Sequence, residues 1–222
     1  MASSTVENYL KQIYLEQQHQ APSGDLVPMG RLAAAMAVTP GTATTMIKAL
    51  AEANLVAYEP RTGVRLTKAG EQLALHVLRR HRLVELFLVK VLELDWSEVH
   101  EEAEHLEHAI SDKVIERIDA YLGHPTVDPH GDPIPTSKGK VSTHKHQSLA
   151  ECDLHRPVRI ARIADQEPAF LQFLRKSGLT PGTSVTVQSR DANADHVLLK
   201  FANRPPMSLG TAAAAKILVE TA

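Results

Sequence analysis

Val6, Tyr9, Leu10 and Ile13 recur at helical spacing within residues 5–18, which predicts an amphipathic first helix. An alanine-rich stretch over 29–38, with Leu32 and Met36, predicts a second helix after a polar loop around 22–24. At Thr39-Pro40 a hydroxyl cap precedes proline at a first helical position. A third helix therefore starts there and runs to about residue 53, with Met46, Ile47 and Leu50 inward. Two short helices joined by a tight turn form a helix-turn-helix pattern. The period then drops to two: Val56, Tyr58, Val64 and Leu66 flank a turn at 60–63. That is a β-hairpin in the position of a wing.

A long helix follows over 68–92, through Leu73, Val77, Val84 and Leu88. Ser97 is placed to cap a helix running to 110, and Ser111-Asp112 starts another to 122. Residues 123–148 are rich in proline and glycine and poor in apolar side chains, and read as a linker or extended loop. Beyond 157 the alternation of Val158, Ile160 and Ile163, a short helix over 170–174, a turn at 178–182 and strands at 185–187 and 197–201 predict a small β-barrel. The expected fold class is mainly α with a small β domain. It divides into a winged helix-turn-helix domain over 1–72, a helical domain over 73–138, a linker over 139–156 and the barrel over 157–222.

Composition narrows the setting. No apolar run among the 222 residues is long enough to span a bilayer, and the N-terminus lacks the basic start and apolar stretch of a secretory signal. The lone Cys152 cannot form an internal disulfide, so a cytoplasmic location is expected. A net charge of −2 does not advertise a nucleic-acid partner, but charge is unevenly spread. Residues 1–72 hold six basic and six acidic side chains, whereas 73–125 hold six basic against eleven acidic. The same acidic stretch contains His76, His81, His100, His105, His108 and His124, the mixture from which metal sites are built.

On the third helix, Thr39, Thr42, Thr44, Thr45 and Lys48 lie along the early turns, where hydroxyls and methyls can meet phosphates, base edges and thymine methyls. Arg31 on the second helix and Arg61 at the hairpin tip, with Arg65 and Lys68, are candidates for holding the DNA backbone. Any one threonine is more simply a solvent-facing residue of a helical bundle; the whole arrangement favours double-stranded DNA.

His81 and Glu85 are four apart on the long helix, and His100, Glu104 and His108 fall at successive steps of four on the next, with Glu107 beside them. One such pair is usually a solvated helix face. Two rows in so acidic a segment point to a divalent cation with nitrogen and oxygen ligands: Mn²⁺, Fe²⁺, Co²⁺ or Zn²⁺. An enzyme is not expected. The histidines of HEEAEH are five apart, not the four a zincin helix requires, and no nucleophile elbow or phosphate loop is present.

The opening ENYLKQIY, the run RRHRLVELFL, the stretch VHEEAEHLEHAISD and the loop GHPTVDPHGDPIP resemble the diphtheria-toxin-repressor family of iron- and manganese-dependent regulators, over nearly the whole chain. GLTPG resembles part of the SH3-like domain of longer members. The resemblance implies a dimerising helical domain, and a repressor that binds operator DNA as a homodimer when Mn²⁺ or Fe²⁺ is bound and controls metal-uptake genes. It also implies two metal sites. One would comprise His81, Glu85 and His100, completed from the C-terminal domain, for which Gln166 and Glu167 are the candidates. The other would comprise Glu104, Glu107 and His108, joined by a group on the first helix. Glu104 stands where iron-type members have cysteine, as in the manganese branch. Two departures stand out: Asn8 occupies the first-helix ligand position usually held by methionine or aspartate, and Lys11 stands where the manganese branch can offer a carboxylate. Both argue against a two-manganese cluster. The rival readings are a winged-helix repressor of the multidrug-resistance type answering to an organic effector, and a metal-dependent hydrolase with a winged-helix accessory.

Overall fold

The computed structural model describes residues 3–19, 26–142, 145–191 and 193–221; the loop expected around 22–24, and His144, lie outside the described residues. The chain divides into two compact units. The first is Met1–His81 with Glu107–Ile110 and Pro135–Val141; the second is Arg82–Leu106 with Ser111–Ile134 and Ser142–Ala222.

The first unit contains α1 (Ser4–His19), α2 (Met29–Ala35), α3 (Pro40–Glu52), the strands β1 (Val56–Glu59) and β2 (Gly63–Leu66), and the start of α4 (Lys68–Val91). Its core is Tyr9, Leu10, Ile13, Leu32, Ala43, Ile47, Leu50, Val56, Val64, Leu75 and Leu78, the inward positions of each amphipathic segment. α2 stops earlier than its alanine content suggests, because Ala37 turns left-handed (φ 51°) and the Val38 N–H reaches back to Ala33 O at 3.0 Å. α3 starts where expected: Thr39 Oγ1 accepts the Thr42 N–H at 3.2 Å. The wing pairs Val56 with Leu66 and Glu59 with Gly63. It is pinned by Val27, whose N–H and O bond to Val64 at 2.8 and 3.0 Å. A Cβ on Gly63 would lie 2.5 Å from Val27 O, so only glycine allows this approach.

The second unit continues α4 and adds α5 (Val99–Glu107), α6 (Asp112–Tyr121), β3 (Gln147–Ser148), β4 (Pro157–Ile163), α7 (Pro168–Lys176), β5 (Ser184–Asp191), β6 (His196–Lys200), β7 (Met207–Leu209), α8 (Thr211–Ala215) and β8 (Ile217–Thr221). α5 begins at Val99, because the Ser97 N–H and hydroxyl both bond to Asp95 Oδ1 in a turn before the helix. The strands form one antiparallel sheet in the order β3-β8-β4-β5-β6-β7, so the last strand of the chain lies inside it. Val158, Ile160, Ile163, Leu171, Leu174, Val185, Val187, Val197, Leu199, Ile217 and Val219 form its core, and Trp96 joins them. The architecture is thus mainly helical with a small β domain, as the hydrophobic pattern predicts, at the place where the resemblance implies an SH3-like one.

The linker reading of 123–148 is corrected over residues 126–134. Asp128 Oδ1 accepts the N–H groups of His130 (2.8 Å) and Asp132 (2.9 Å), and Val127 bridges Pro133. Asp128, His130 and Asp132 are buried. Gly131, at φ +88°, allows the turn to press on β4: a Cβ there would lie 2.0 Å from Ala161 O, and His130 O accepts the Ile163 N–H at 2.9 Å. Polar side chains bonding to their own backbone supply the order that apolar packing supplies elsewhere. No helix of the described residues is long and apolar enough to cross a membrane.

Candidate metal centres and nucleic-acid interface

α3 is amphipathic: Ala43, Ile47 and Leu50 face the core, leaving Thr39, Thr42, Thr45 and Lys48 exposed and Thr44 half-buried. Thr44 and Thr45 donate their hydroxyl hydrogens to Pro40 O (2.8 Å) and Gly41 O (3.1 Å), so methyl groups and acceptor lone pairs face outward. Arg61, left-handed at φ 69°, and Arg65 are exposed on the wing. Arg31 is half exposed but its guanidinium is drawn to Glu16.

Within the first unit a buried polar cluster lies between α1 and the end of α5. Glu107, fully buried, has Oε1 2.7 Å from Lys11 Nζ and Oε2 2.5 Å from His81 Nδ1. His108 turns both ring nitrogens toward α1, Nδ1 2.7 Å from Glu7 Oε2 and Nε2 2.8 Å from Asn8 Oδ1; Nε2 is also 3.3 Å from Glu107 Oε1. Arg80 stands 3.8 Å from Glu7 Oε1. Burial alone would raise the Glu107 carboxyl, but the hydrogen bond and charge of His81, then Lys11, outweigh it and hold it below the usual glutamate value. Glu7, absent from the sequence candidates, sits beside Asn8; a charged residue in the first turn of a helix reads as a solvent-facing position or a dipole partner.

The second unit holds another cluster. Glu85, Asp128 and His130, all buried, bring one ligand atom each within 4.8 Å of one another. His130 Nε2 is 2.8 Å from Trp96 O, which directs the Nδ1 lone pair inward. That Nδ1 has no hydrogen bond and lies 3.9 Å from Glu85 Oε2. Glu85 Oε1 is 3.3 Å from His100 Nδ1, and His100 Nε2 is 3.8 Å from Glu104 Oε1. Around them, Arg82 stands 3.6 Å from Asp128 and 3.8 Å from Asp132. From the β domain, Arg162 reaches Asp132 and Gln166 donates to it. Burial, then the Asp132 and Glu85 carboxylates, push the Asp128 carboxyl well above the usual aspartate range. Glu167 caps α7, accepting the Phe170 N–H at 3.0 Å.

These donor sets fit a divalent cation. They are all nitrogen and oxygen, Glu85, Glu107, Asp128 and His130 are buried and His108 is half-buried, and His130 Nδ1 is an orphaned lone pair aimed into carboxylates. Asp128 and His130 were not sequence candidates. Their signal was the string DPHGDP, two carboxylates and an imidazole around a glycine that must take a positive φ.

Three family models match in series: the iron dependent repressor N-terminal DNA binding domain over 1–64, the iron dependent repressor metal binding and dimerisation domain over 67–136, and the FeoA domain over 147–221. The iron-dependent repressor IdeR of Mycobacterium leprae is 29% identical over 201 residues, 85% of each chain. A solved manganese-dependent transcriptional repressor in complex with manganese is 38% identical, with a TM-score of 0.86 over 98% of this chain and all of that one. ScaR with bound Cd²⁺ is 32% identical, with a TM-score of 0.77 over 98% and 99%. These relatives are metal-dependent repressors, which disfavours the organic-effector reading. The chain belongs to the diphtheria-toxin-repressor family of iron- and manganese-dependent transcriptional repressors.

Proposed function

We propose that this chain is a cytoplasmic Mn²⁺- or Fe²⁺-responsive repressor that binds operator DNA as a homodimer and controls metal-uptake genes. Zn²⁺ and Co²⁺ are expected to substitute in vitro. In this reading residues 1–72 read DNA, 73–138 bind metal and pair the subunits, and 157–222 form an accessory domain. The observation that carries it is His108, whose two nitrogens face Glu7 and Asn8 on the first helix of the DNA-reading unit.

Glu107 and His108, with Glu7 or Asn8 from α1, are the proposed ligands of one ion; Glu104 is the further α5 donor by family resemblance. Glu85, Asp128 and His130 are proposed for a second ion, with His100 beside Glu85. The expected role of His81 as a ligand remains part of the proposal, and its observed partner is Glu107. A bound divalent cation supplies the positive charge that lets crowded carboxylates and imidazoles share one point. The ligands on α1 tie a helix that shares one hydrophobic core with the recognition helix to the α5 turn, restricting the orientation of α3. Dimer geometry then matches half-sites about one DNA turn apart. Selection of that geometry by metal shifts the population toward DNA binding. Thr39, Thr42, Thr44, Thr45 and Lys48 would read the major groove while Arg31 and Arg61 hold phosphates.

The test is operator binding by fluorescence anisotropy at fixed salt, without metal and with Mn²⁺, Fe²⁺ or Zn²⁺. Affinity should rise about tenfold or more, about 1.4 kcal/mol of coupling, and lose that rise in His108→Ala. Tight binding that ignores metal removes the sensor.

A further inference from the structure

Lys11 lies one turn after Glu7 and Asn8 on α1, and only about 6% of its side chain is exposed. Its ammonium meets Glu107 Oε1 at 2.7 Å, the same oxygen that lies 3.3 Å from His108 Nε2. Glu107 is wholly buried, so Lys11 stands where a cation ligated by Glu107 and His108 would have to come. The cluster also pairs Glu7 with Arg80. Each carboxylate of the cluster is therefore matched by a fixed positive charge, which is how a buried acidic group avoids its desolvation cost.

We propose that Lys11 is a built-in counter-cation of the Glu107–His108 site: it neutralises Glu107 before metal binds, must give up that contact when metal enters, and thereby sets the affinity threshold of the site and limits it to one ion. The proposal rests on the metal-sensor reading above. A divalent ion at Glu107 and the Lys11 ammonium would be like charges a few ångströms apart in a low-dielectric setting, and the repulsion weakens metal binding. The same ammonium disfavours a second ion beside the first. Lys11 is a specificity-determining residue in this sense, distinct from a ligand.

The experiment compares full-length wild type, Lys11→Met, Lys11→Gln and Lys11→Arg, each stripped of metal. Mn²⁺ affinity and stoichiometry are read by equilibrium dialysis with elemental analysis, and unfolding of the metal-free protein by circular dichroism. Lys11→Met should bind Mn²⁺ about tenfold more tightly, while its metal-free form melts about 5 °C or more lower. Lys11→Arg should restore both to wild-type values, which a purely steric effect would not. Lys11→Gln keeps a donor for Glu107 without the charge, and carries the affinity test if Lys11→Met does not fold. Placed in His108→Ala, either neutral substitution should gain nothing. Unchanged or weaker Mn²⁺ binding in both neutral variants, with His108→Ala still costing affinity, overturns the Lys11 proposal and leaves the site. His108→Ala with wild-type Mn²⁺ binding overturns the site, and Lys11 with it.

Discussion

In the first unit, Glu7 and Glu107 have Arg80 and Lys11 beside them, and both nitrogens of His108 face oxygens. In the second unit, Asp128 and Asp132 share Arg82, Asp132 also meets Arg162, Glu85 faces His100, and His130 Nδ1 is left without a hydrogen bond. The residue types are the same, but the charge closure differs. Two carboxylates against two cations leave the first cluster self-sufficient, and its Glu107 is held below the usual range. In the second, burial and the neighbouring Asp132 and Glu85 carboxylates drive Asp128 up toward its protonated form. The first cluster is therefore built to exchange an internal cation for an external one, and the second to acquire one. A switch draws on the former, because giving up Lys11 changes what holds α1; a structural ion suits the latter.

The sharpest way to break this contrast is to remove one imidazole from each cluster. His108→Ala should abolish metal-dependent operator binding, a loss of the whole metal-induced rise of about tenfold or more. His130→Ala should cost about tenfold at its own site and leave most of the DNA response. If His130→Ala is the more damaging to DNA binding, the roles of the clusters are reversed. Trp96 reports the second site alone: it is the sole tryptophan of the chain, and its ring stacks on His130 with centroids 5.5 Å apart. Paramagnetic Mn²⁺ or Co²⁺ should quench its fluorescence in wild type and His108→Ala, but not in His130→Ala.

Acidity separates the clusters next. A raised Asp128 keeps its proton in the folded chain after the unfolded chain has lost it. In the metal-free protein the folded state is therefore favoured below the ordinary aspartate range and loses stability as pH rises toward the raised value. Glu107 runs the other way: its lowered value contributes stability above the ordinary glutamate range, lost as pH falls through the folded value. Asp128→Asn should remove the loss at rising pH and leave the loss at falling pH. Chemical denaturation at a series of pH values, in chelator, reads both; an unaltered rising-pH slope in Asp128→Asn would sink the assignment.

The contrast also marks how far the sequence could be read. Helical period, the Thr39-Pro40 cap and the hairpin at 60–63 placed the winged unit, because each is a local signal with a local cause. The row His100, Glu104, Glu107, His108 was legible as a candidate because its residues repeat with the period of the helix. Asp128 and His130 were not, because a segment without apolar residues reads as solvated, and its burial depends on Gly131 meeting β4 far along the chain. Glu7 was missed for a related reason: a buried charge has the pattern of an exposed one until its partner is known. β8 escaped because its pairing with β3 and β4 is non-local, and the preceding run of alanines reads as helix.

The smallest expected effect concerns the contribution of the β domain to the second cluster. Gln166 donates to Asp132 and does not approach as a lone charged group, so it orients a carboxylate that Arg82 and Arg162 already neutralise. Gln166→Ala should cost about 1 kcal/mol in stability, the net worth of one hydrogen bond, and lower metal affinity at Glu85, Asp128 and His130 only a few-fold. Arg162→Ala, which removes a cation from an already acidic cluster, should act in the opposite sense on metal: the metal-free form loses stability while the ion binds more tightly. If Gln166→Ala matches His130→Ala in Trp96 quenching, the amide is itself a ligand. A wild-type response from both substitutions would instead show that the β domain merely covers the site.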